Sequence, residues 1–228
     1  MSIYENISIL MSVYNDESRV SGAIESILNQ SFKNFEFLIL DDFSTDDTYM
    51  VCKEYQKKDN RIKLYRNKEN IGLTKSLNFL INQSKFELIA RQDSDDKSHK
   101  YRLEKQVDYM KSKMLDATTT IAEISNLKKR RPFISQFLPA RLIINYKNPF
   151  IHGTLLIKKE TISNLGNYDE RFIYAQDYKL FTDLIKNKYK IKILNKALYT
   201  LNIENNISSN KPSEQSYYAN CVKKGITP

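Results

Sequence analysis

No G-x-G-x-x-G occurs in this 228-residue chain, and glycine is scarce throughout: five residues, at positions 22, 72, 153, 166 and 225. No G-x-x-x-x-G-K-[ST] is present either. Dinucleotide and Walker-type phosphate cradles are thereby excluded, since both need glycine to bring backbone N–H groups against a phosphate. Cysteine is rarer still. Cys52 and Cys221 are far apart in sequence and offer neither a metal pair nor a disulfide framework. Long apolar runs are missing, and no stretch approaches the roughly eighteen residues of a membrane span. The N-terminus, MSIYENISILMSV, lacks a cationic leader and carries Glu5. A cytoplasmic protein without a signal peptide is therefore expected.

What is present is a globular mixture, 41% hydrophobic and 28% charged, of a size that suits one domain. Lysine and arginine outnumber the acids to give +9, with a pI near 9.3, which points to a polyanionic partner. The densest basic run is Lys128-Lys129-Arg130-Arg131, followed by Phe133, Ile134, Phe137 and Leu138. A solvated loop explains such a run. So does peripheral contact with an anionic bilayer, at the inner face of the cell membrane. Pro132 and Pro139 argue against one continuous amphipathic helix there.

The first hundred residues alternate between two periods. Ile7 to Val13, Phe35 to Leu40, Arg61 to Tyr65 and Phe86 to Ala90 read as strands. Between them Val20, Ala23, Ile24, Ile27 and Leu28, then Leu73, Leu77, Leu80 and Ile81, recur at helical spacing. Asn15 or Asp16 is placed to cap the first helix, and Ser44-Thr45-Asp46-Asp47 has the capping-box spacing for a helix running through Tyr55. Strands alternating with helices imply right-handed βαβ units and a parallel sheet. The second half is less regular: a helix over about 100–113, strands over 117–124, 151–158 and 191–201, and an Asp177, Leu180, Phe181, Leu184, Ile185 helical face. After Asn202 the chain reads as a polar tail.

In an open parallel sheet, ligands bind beyond the carboxyl ends of the strands, where strand order reverses. The acids gather there. Asp41 and Asp42 end the second strand, and Asp93, Asp95 and Asp96 follow the fourth. Carboxylates this close repel one another unless solvent or a cation absorbs the charge. Asp93-Ser94-Asp95 supplies hard oxygen ligands that suit Mg²⁺ or Mn²⁺ sharing its shell with phosphate oxygens.

These segments, in this order, resemble the family 2 glycosyltransferases. The resemblance runs through Ser12-Val13-Tyr14-Asn15 with Glu17, Asp41 to Asp46, Asn67 to Gly72, Ser76-Leu77-Asn78, Ala90 to Asp96 and Arg102 to Gln106. It continues through Asn148 to His152, Gly166 to Glu170 and Tyr174 to Tyr178. It implies a GT-A fold, α/β, with a Rossmann-like, mostly parallel sheet flanked by helices and a smaller mixed acceptor-side region. Residues 1–98 would be the nucleotide-sugar half, 99–208 the acceptor half of the same domain, and 209–228 the tail. By resemblance Val13, Tyr14, Asn15, Glu17 and Asp42 contact the nucleoside, and Arg66 the base or diphosphate. Asp93 holds the ribose or metal, Asp95 coordinates a divalent cation (Mn²⁺ or Mg²⁺), and Asp177 is the general base. Asp96 serves equally as a helix cap, and His152 as a structural residue or an acceptor contact.

The implied activity is inverting transfer of a hexosyl or N-acetylhexosaminyl group. The donor would be a nucleotide sugar of the UDP class, the acceptor a glycan or lipid-linked glycan of bacterial surface polysaccharide. Three departures stand out: Phe43 where the family has a small residue, Gln176 where an acid commonly precedes the base, and no histidine in Tyr199 to Ser208. The rival reading is a non-catalytic basic module for nucleic acid or anionic lipid. It accounts for +9 but not for an acidic crevice, and no nucleic-acid-binding pattern is found. Nothing in the pattern selects an oligomeric state.

Overall fold

The computed structural model describes residues 6–125, 127, 129–132, 139–203 and 211–228. Strands β1 (Ile7–Val13), β2 (Phe35–Asp41), β3 (Ile62–Arg66) and β4 (Leu88–Arg91) pair in parallel, in the order β3-β2-β1-β4. Every residue of β2 is buried, as a parallel strand covered on both faces requires. The crossovers are helices α1 (Val20–Leu28), α2 (Thr48–Lys58) and α3 (Leu73–Gln83). α1 buries Val20, Ala23, Ile24 and Ile27, the i, i+3, i+4, i+7 stripe read in the sequence.

The sheet continues without a break into the second half. β8 (Leu156–Lys158) lies antiparallel to β4, and β6 (Ala117–Ile124) joins β8 to β9 (Ile191–Leu201). Short β5 (Lys97–Ser98) pairs with β9, and β7 (Arg130–Arg131) with β6. Helices α4 (Arg102–Lys113), α5 (Ala140–Ile143), α6 (Lys159–Asn164) and α7 (Gln176–Lys186) complete this half. Two apolar clusters result. One holds Leu10, Leu77, Leu155, Phe172 and Phe181, the other Ile9, Ile24, Phe37, Leu103 and Met110.

Four local readings change. Over 151–158 only Leu156–Lys158 is strand; His152–Thr154 is one 3₁₀ turn, stabilised by the Thr154 hydroxyl donating to Ile151 O at 2.8 Å. Neither Asn15 nor Asp16 caps α1 with its side chain. Asp16 instead accepts from Arg19 Nε and the Ser94 hydroxyl. The capping box does not form: α2 starts at Thr48, whose N–H donates to Asp46 Oδ1, while Ser44 Oγ accepts the N–H of Asn15. The stretch read as a polar tail contains α8 (Pro212–Lys224), which buries Cys221 and Val222 and sets Tyr218 against Phe172 and Tyr174. Proline at its start and Gly225 in the left-handed region at its end are the usual punctuation of a helix. Phe133, Ile134, Phe137 and Leu138, with Lys128, lie outside the described residues; Arg130 and Arg131 are exposed.

Candidate active site

The ends of β1, β2 and β4 lie side by side, where an open parallel sheet places its ligand crevice. Its first wall is a clasp between the turns after β1 and β2. Asn15 takes the left-handed conformation (φ 48°), which asparagine tolerates, and its Oδ1 accepts the Thr45 N–H at 2.9 Å. Glu17 Oε2 accepts the Asp47 N–H at 2.9 Å. Val13 is buried, only 2% exposed, whereas Tyr14 is 49% exposed. Phe43 is left-handed as well (φ 66°), a conformation that costs a bulky residue and that glycine adopts freely. That is the physical sense of a small residue at this position in the family.

Asp41 and Asp42 are both buried and differ in employment. Asp41 pairs with Arg66 Nε at 3.0 Å, and the Arg66 guanidinium lies over the Tyr49 ring and donates to Ser44 O. Asp42 accepts from Asn67 Nδ2 at 2.7 Å, Ile71 N at 3.0 Å and Gly72 N at 2.8 Å. Three of about four lone-pair positions are thus taken by the loop that leads into α3. Asp42 thereby fixes the loop that leads into α3 to the end of β2.

The turn after β4 is held from behind by two arginines. Arg91 is 1% exposed, donates to Leu10 O and Gln92 O, and pairs with Asp93 Oδ1 at 2.5 Å. Arg102, fully buried, donates to Gly153 O and Arg91 O and lies over the Tyr199 ring. Asp96 is buried, with Oδ1 accepting the N–H of Asn202 at 2.7 Å, so it ties the turn to the residue that follows β9 rather than capping α4. Burial, reinforced by the charges of Asp93 and Asp95, raises its carboxyl. The Asp95 carboxyl is raised to about 6, by burial first and then by the charges of Asp93 and Asp16.

Asp177 stands in the first turn of α7. Its Oδ2 accepts from Asn148 Nδ2 at 2.8 Å, and burial, with a further contribution from the charge of Asp93, raises its carboxyl. His152 is bonded through Nε2 to the Tyr168 hydroxyl at 2.7 Å, and burial holds its imidazole well below its ordinary value. That bond gives it a partner within the fold. His99 is exposed.

Hydrogen bonds and ion pairs thus link the Asn15–Glu17 turn to the turn after β2, Asp41 to Arg66 and Arg19 to Asp95, and Asp177 is near enough to Asp93 to feel its charge. Sequence reasoning passed over Arg19, Gly153 and Tyr199, read Asp16 only as a helix cap, and assigned no role to Arg91, Arg102 or Asn148. One signal was available. Arg102 and Gln106 sit on the same α4 stripe as Leu103, Val107 and Met110, where polar residues are unexpected unless paired inside.

A divalent cation fits the donor set. Asp93 and Asp95 are hard oxygen donors whose mutual repulsion is expressed in the raised Asp95 carboxyl. Among the described residues no group of three His, Cys, Asp or Glu side chains converges on a point. One or two carboxylates completed by phosphate oxygens and water is the manner of Mg²⁺ and similar ions.

The sequence profile of Glycosyl transferase family 2 matches residues 8–178. The chain belongs to that family. It is 34% identical over 198 residues to EpsE of Bacillus subtilis (strain 168), covering 85% of this chain and 71% of that protein. It is 32% identical over 227 residues to the O-antigen biosynthesis glycosyltransferase WbnJ of Escherichia coli, covering 96% and 87%. Among solved structures, S. aureus TarS 1-349 in complex with UDP-GlcNAc superposes with a TM-score of 0.78 at 22% identity. The mannosyltransferase PcManGT of Pyrobaculum calidifontis, in complex with GDP-Man and Mn²⁺, does so with 0.78 at 16%. The chain is covered to 95% and 97% and spans 65% of each of those chains. These likenesses establish the GT-A fold, and family membership makes the chain a glycosyltransferase. Among the described residues no helix is long and apolar enough to cross a membrane.

Proposed function

We propose that this family 2 glycosyltransferase transfers a hexosyl or N-acetylhexosaminyl group from a nucleotide sugar of the UDP class, with inversion, to a glycan or lipid-linked glycan in bacterial surface polysaccharide biosynthesis. The observation that carries the reading is the meeting of two kinds of carboxylate in one crevice. Asp93 and Asp95 suit a cation, and Asp177, on an element of the other half, is near enough to feel the charge of Asp93. The UDP-GlcNAc complex of TarS and the O-antigen assignment of WbnJ favour the donor and pathway class.

In this reading Val13, Tyr14, Asn15, Glu17 and Asp42 form the nucleoside pocket, and Arg66 reaches the base or diphosphate. Asp93 and Asp95 would hold Mn²⁺ or Mg²⁺, which, when bound, neutralises the departing nucleoside diphosphate. The Mn²⁺ in the PcManGT complex supports that choice of ion. Asp177 takes the acceptor hydroxyl proton as the hydroxyl attacks the anomeric carbon from the face opposite the diphosphate. Asn148 fixes the carboxylate's orientation. The exposed Arg130 and Arg131 would draw the protein to anionic lipid at the inner membrane face. A purely binding basic module is disfavoured, because an acidic crevice repels the very polyanions that +9 attracts.

The test is a thermal-shift titration with UDP and GDP, each with Mn²⁺, followed by a panel of nucleotide sugars scored for metal-dependent hydrolysis. Stabilisation by UDP plus Mn²⁺ that EDTA abolishes is expected. No shift with any nucleoside diphosphate would remove the assignment.

A further inference from the structure

Arg19 sits at the entry to α1, beside the acidic turn. Its Nε lies 2.5 Å from Asp16 Oδ1, and one terminal nitrogen lies 4.0 Å from Asp95 Oδ2. Asp16 is nearly sealed, with 3% of its side chain exposed, and its second oxygen accepts the Ser94 hydroxyl at 2.7 Å. The middle residue of Asp93-Ser94-Asp95 is thus tied to Asp16, and the last faces the guanidinium that Asp16 holds. Asp16 itself is fixed through its backbone N–H, which donates to the Thr48 hydroxyl at 2.7 Å. The guanidinium is therefore an anchored cation, not a long side chain that happens to lie near an acid. It also forms an ion pair with Asp95.

We infer that Arg19 is the resident counter-cation of Asp95, and that a divalent metal must displace its influence to bind. The inference rests on the proposed metal role of Asp93 and Asp95. Before nucleotide arrives, Arg19 relieves the repulsion among Asp16, Asp93 and Asp95 and opposes the approach of a second cation. A nucleoside diphosphate brings negative charge of its own and restores the balance in favour of the metal. Arg19 thereby makes metal binding depend on nucleotide and protects the crevice from loading metal alone.

The sign of the effect is unusual, which makes it testable without turnover. Removing a residue beside a metal site ordinarily weakens the metal. Here Arg19→Gln should tighten nucleotide-free Mn²⁺ by about tenfold, the order of effect that one nearby positive charge has on a divalent ion under near-aqueous screening. The gain in Mn²⁺ affinity on adding UDP should shrink by a similar factor. Arg19→Lys, which keeps the charge, should stay near the parent.

Mn²⁺ titrations followed by the EPR signal of the free ion, with and without UDP, measure both quantities. Melting curves verify that each variant is folded. Nucleotide-free Mn²⁺ bound by Arg19→Gln at parental or weaker affinity would overturn the inference. Asp95→Ala separates the two levels. If Mn²⁺ binding in the presence of UDP survives that change undiminished, the metal-site reading itself fails, and the inference falls with it.

Discussion

The hydroxyl of Tyr199, on β9, accepts the backbone N–H of Asp93 at 3.1 Å. The two residues are 106 apart in sequence, and this bond ties the last strand of the sheet to the turn that carries the acidic motif. The same side chain favours the ionised form of the Asp96 carboxyl, against the burial that raises it. Tyr199→Phe keeps the buried ring and leaves the Asp93 amide without its acceptor. A destabilisation of about 1–2 kcal/mol in urea denaturation is expected, together with a smaller thermal shift on adding UDP and Mn²⁺. Unchanged urea stability would show that the amide finds another partner and that β9 does not hold the turn.

Gly153 is required by close approach rather than by backbone conformation. A Cβ there would stand 2.5 Å from Asp93 Oδ2 and closer still to the Tyr199 hydroxyl. Asp93 cannot retreat easily, since its other oxygen is paired with the buried Arg91 guanidinium. Gly153→Ala should therefore push the carboxylate or the tyrosine aside and lower kcat/KM by at least about tenfold, as small misplacements of positioning groups do. Circular dichroism should remain that of the parent. Parental kcat/KM would mean that Asp93 does not need its observed position.

The first half of the fold was legible because each element there satisfies a local rule. β1 and β2 are continuous apolar runs, and α1 and α3 carry stripes at helical spacing, so period alone separates them. Asp93 and Asp95 could be picked out because three carboxylates after a buried strand make no local sense. Contacts across the chain were not legible. Nothing near Arg19 announces Asp95, and nothing near Tyr199 announces Asp93. The cap readings at Asn15 and Ser44 failed for the same reason. Those side chains bond each other's turns across 29 or 30 residues, and that long-range clasp overrides the local option. α8 was missed because its apolar stripe is thin, although Pro212 and Gly225 marked its ends.

Asp95 should be a site where the apo protein gives up stability. Its carboxyl is raised to about 6 by burial and by the charges of Asp93 and Asp16. The native state therefore binds the proton more tightly than the unfolded chain. The stability this adds is complete below about pH 4 and is lost as pH climbs through about 6. At pH 7.5 the ionised group is a liability that Arg19 offsets in part and a bound cation would relieve further. In EDTA, Asp95→Asn should exceed the parent by on the order of 2 kcal/mol in urea denaturation at pH 7.5, with the gap closing near pH 4. The same variant should transfer no sugar under saturating donor and metal. A variant less stable than the parent at pH 7.5, or one that transfers at the parental rate, would contradict the assignment.

The proposed mechanism gives the base role to Asp177, and the pairing of the neighbouring carboxylates favours that choice. Asp169 is bound by Arg171 through two bonds of 2.8 and 2.7 Å, and Glu170 accepts from Asn78 at 2.9 Å. Asp177 has Asn148 as its side-chain partner, and burial raises its carboxyl toward a more basic range. Asp177→Asn keeps shape and polarity but cannot take a proton. It should lower kcat by about 10²–10⁴ while UDP affinity stays within twofold to threefold, because the base touches the acceptor and not the nucleotide. The pH profile supplies the second measurement. A raised carboxyl places the acid limb of kcat above the ordinary carboxylate range, with the rate rising as Asp177 loses its proton. The Asn148 hydrogen bond favours the ionised form, so Asn148→Ala should move that limb to still higher pH. A limb that stays in place in Asn148→Ala and is unaltered in Asp177→Asn would assign the proton transfer to another group.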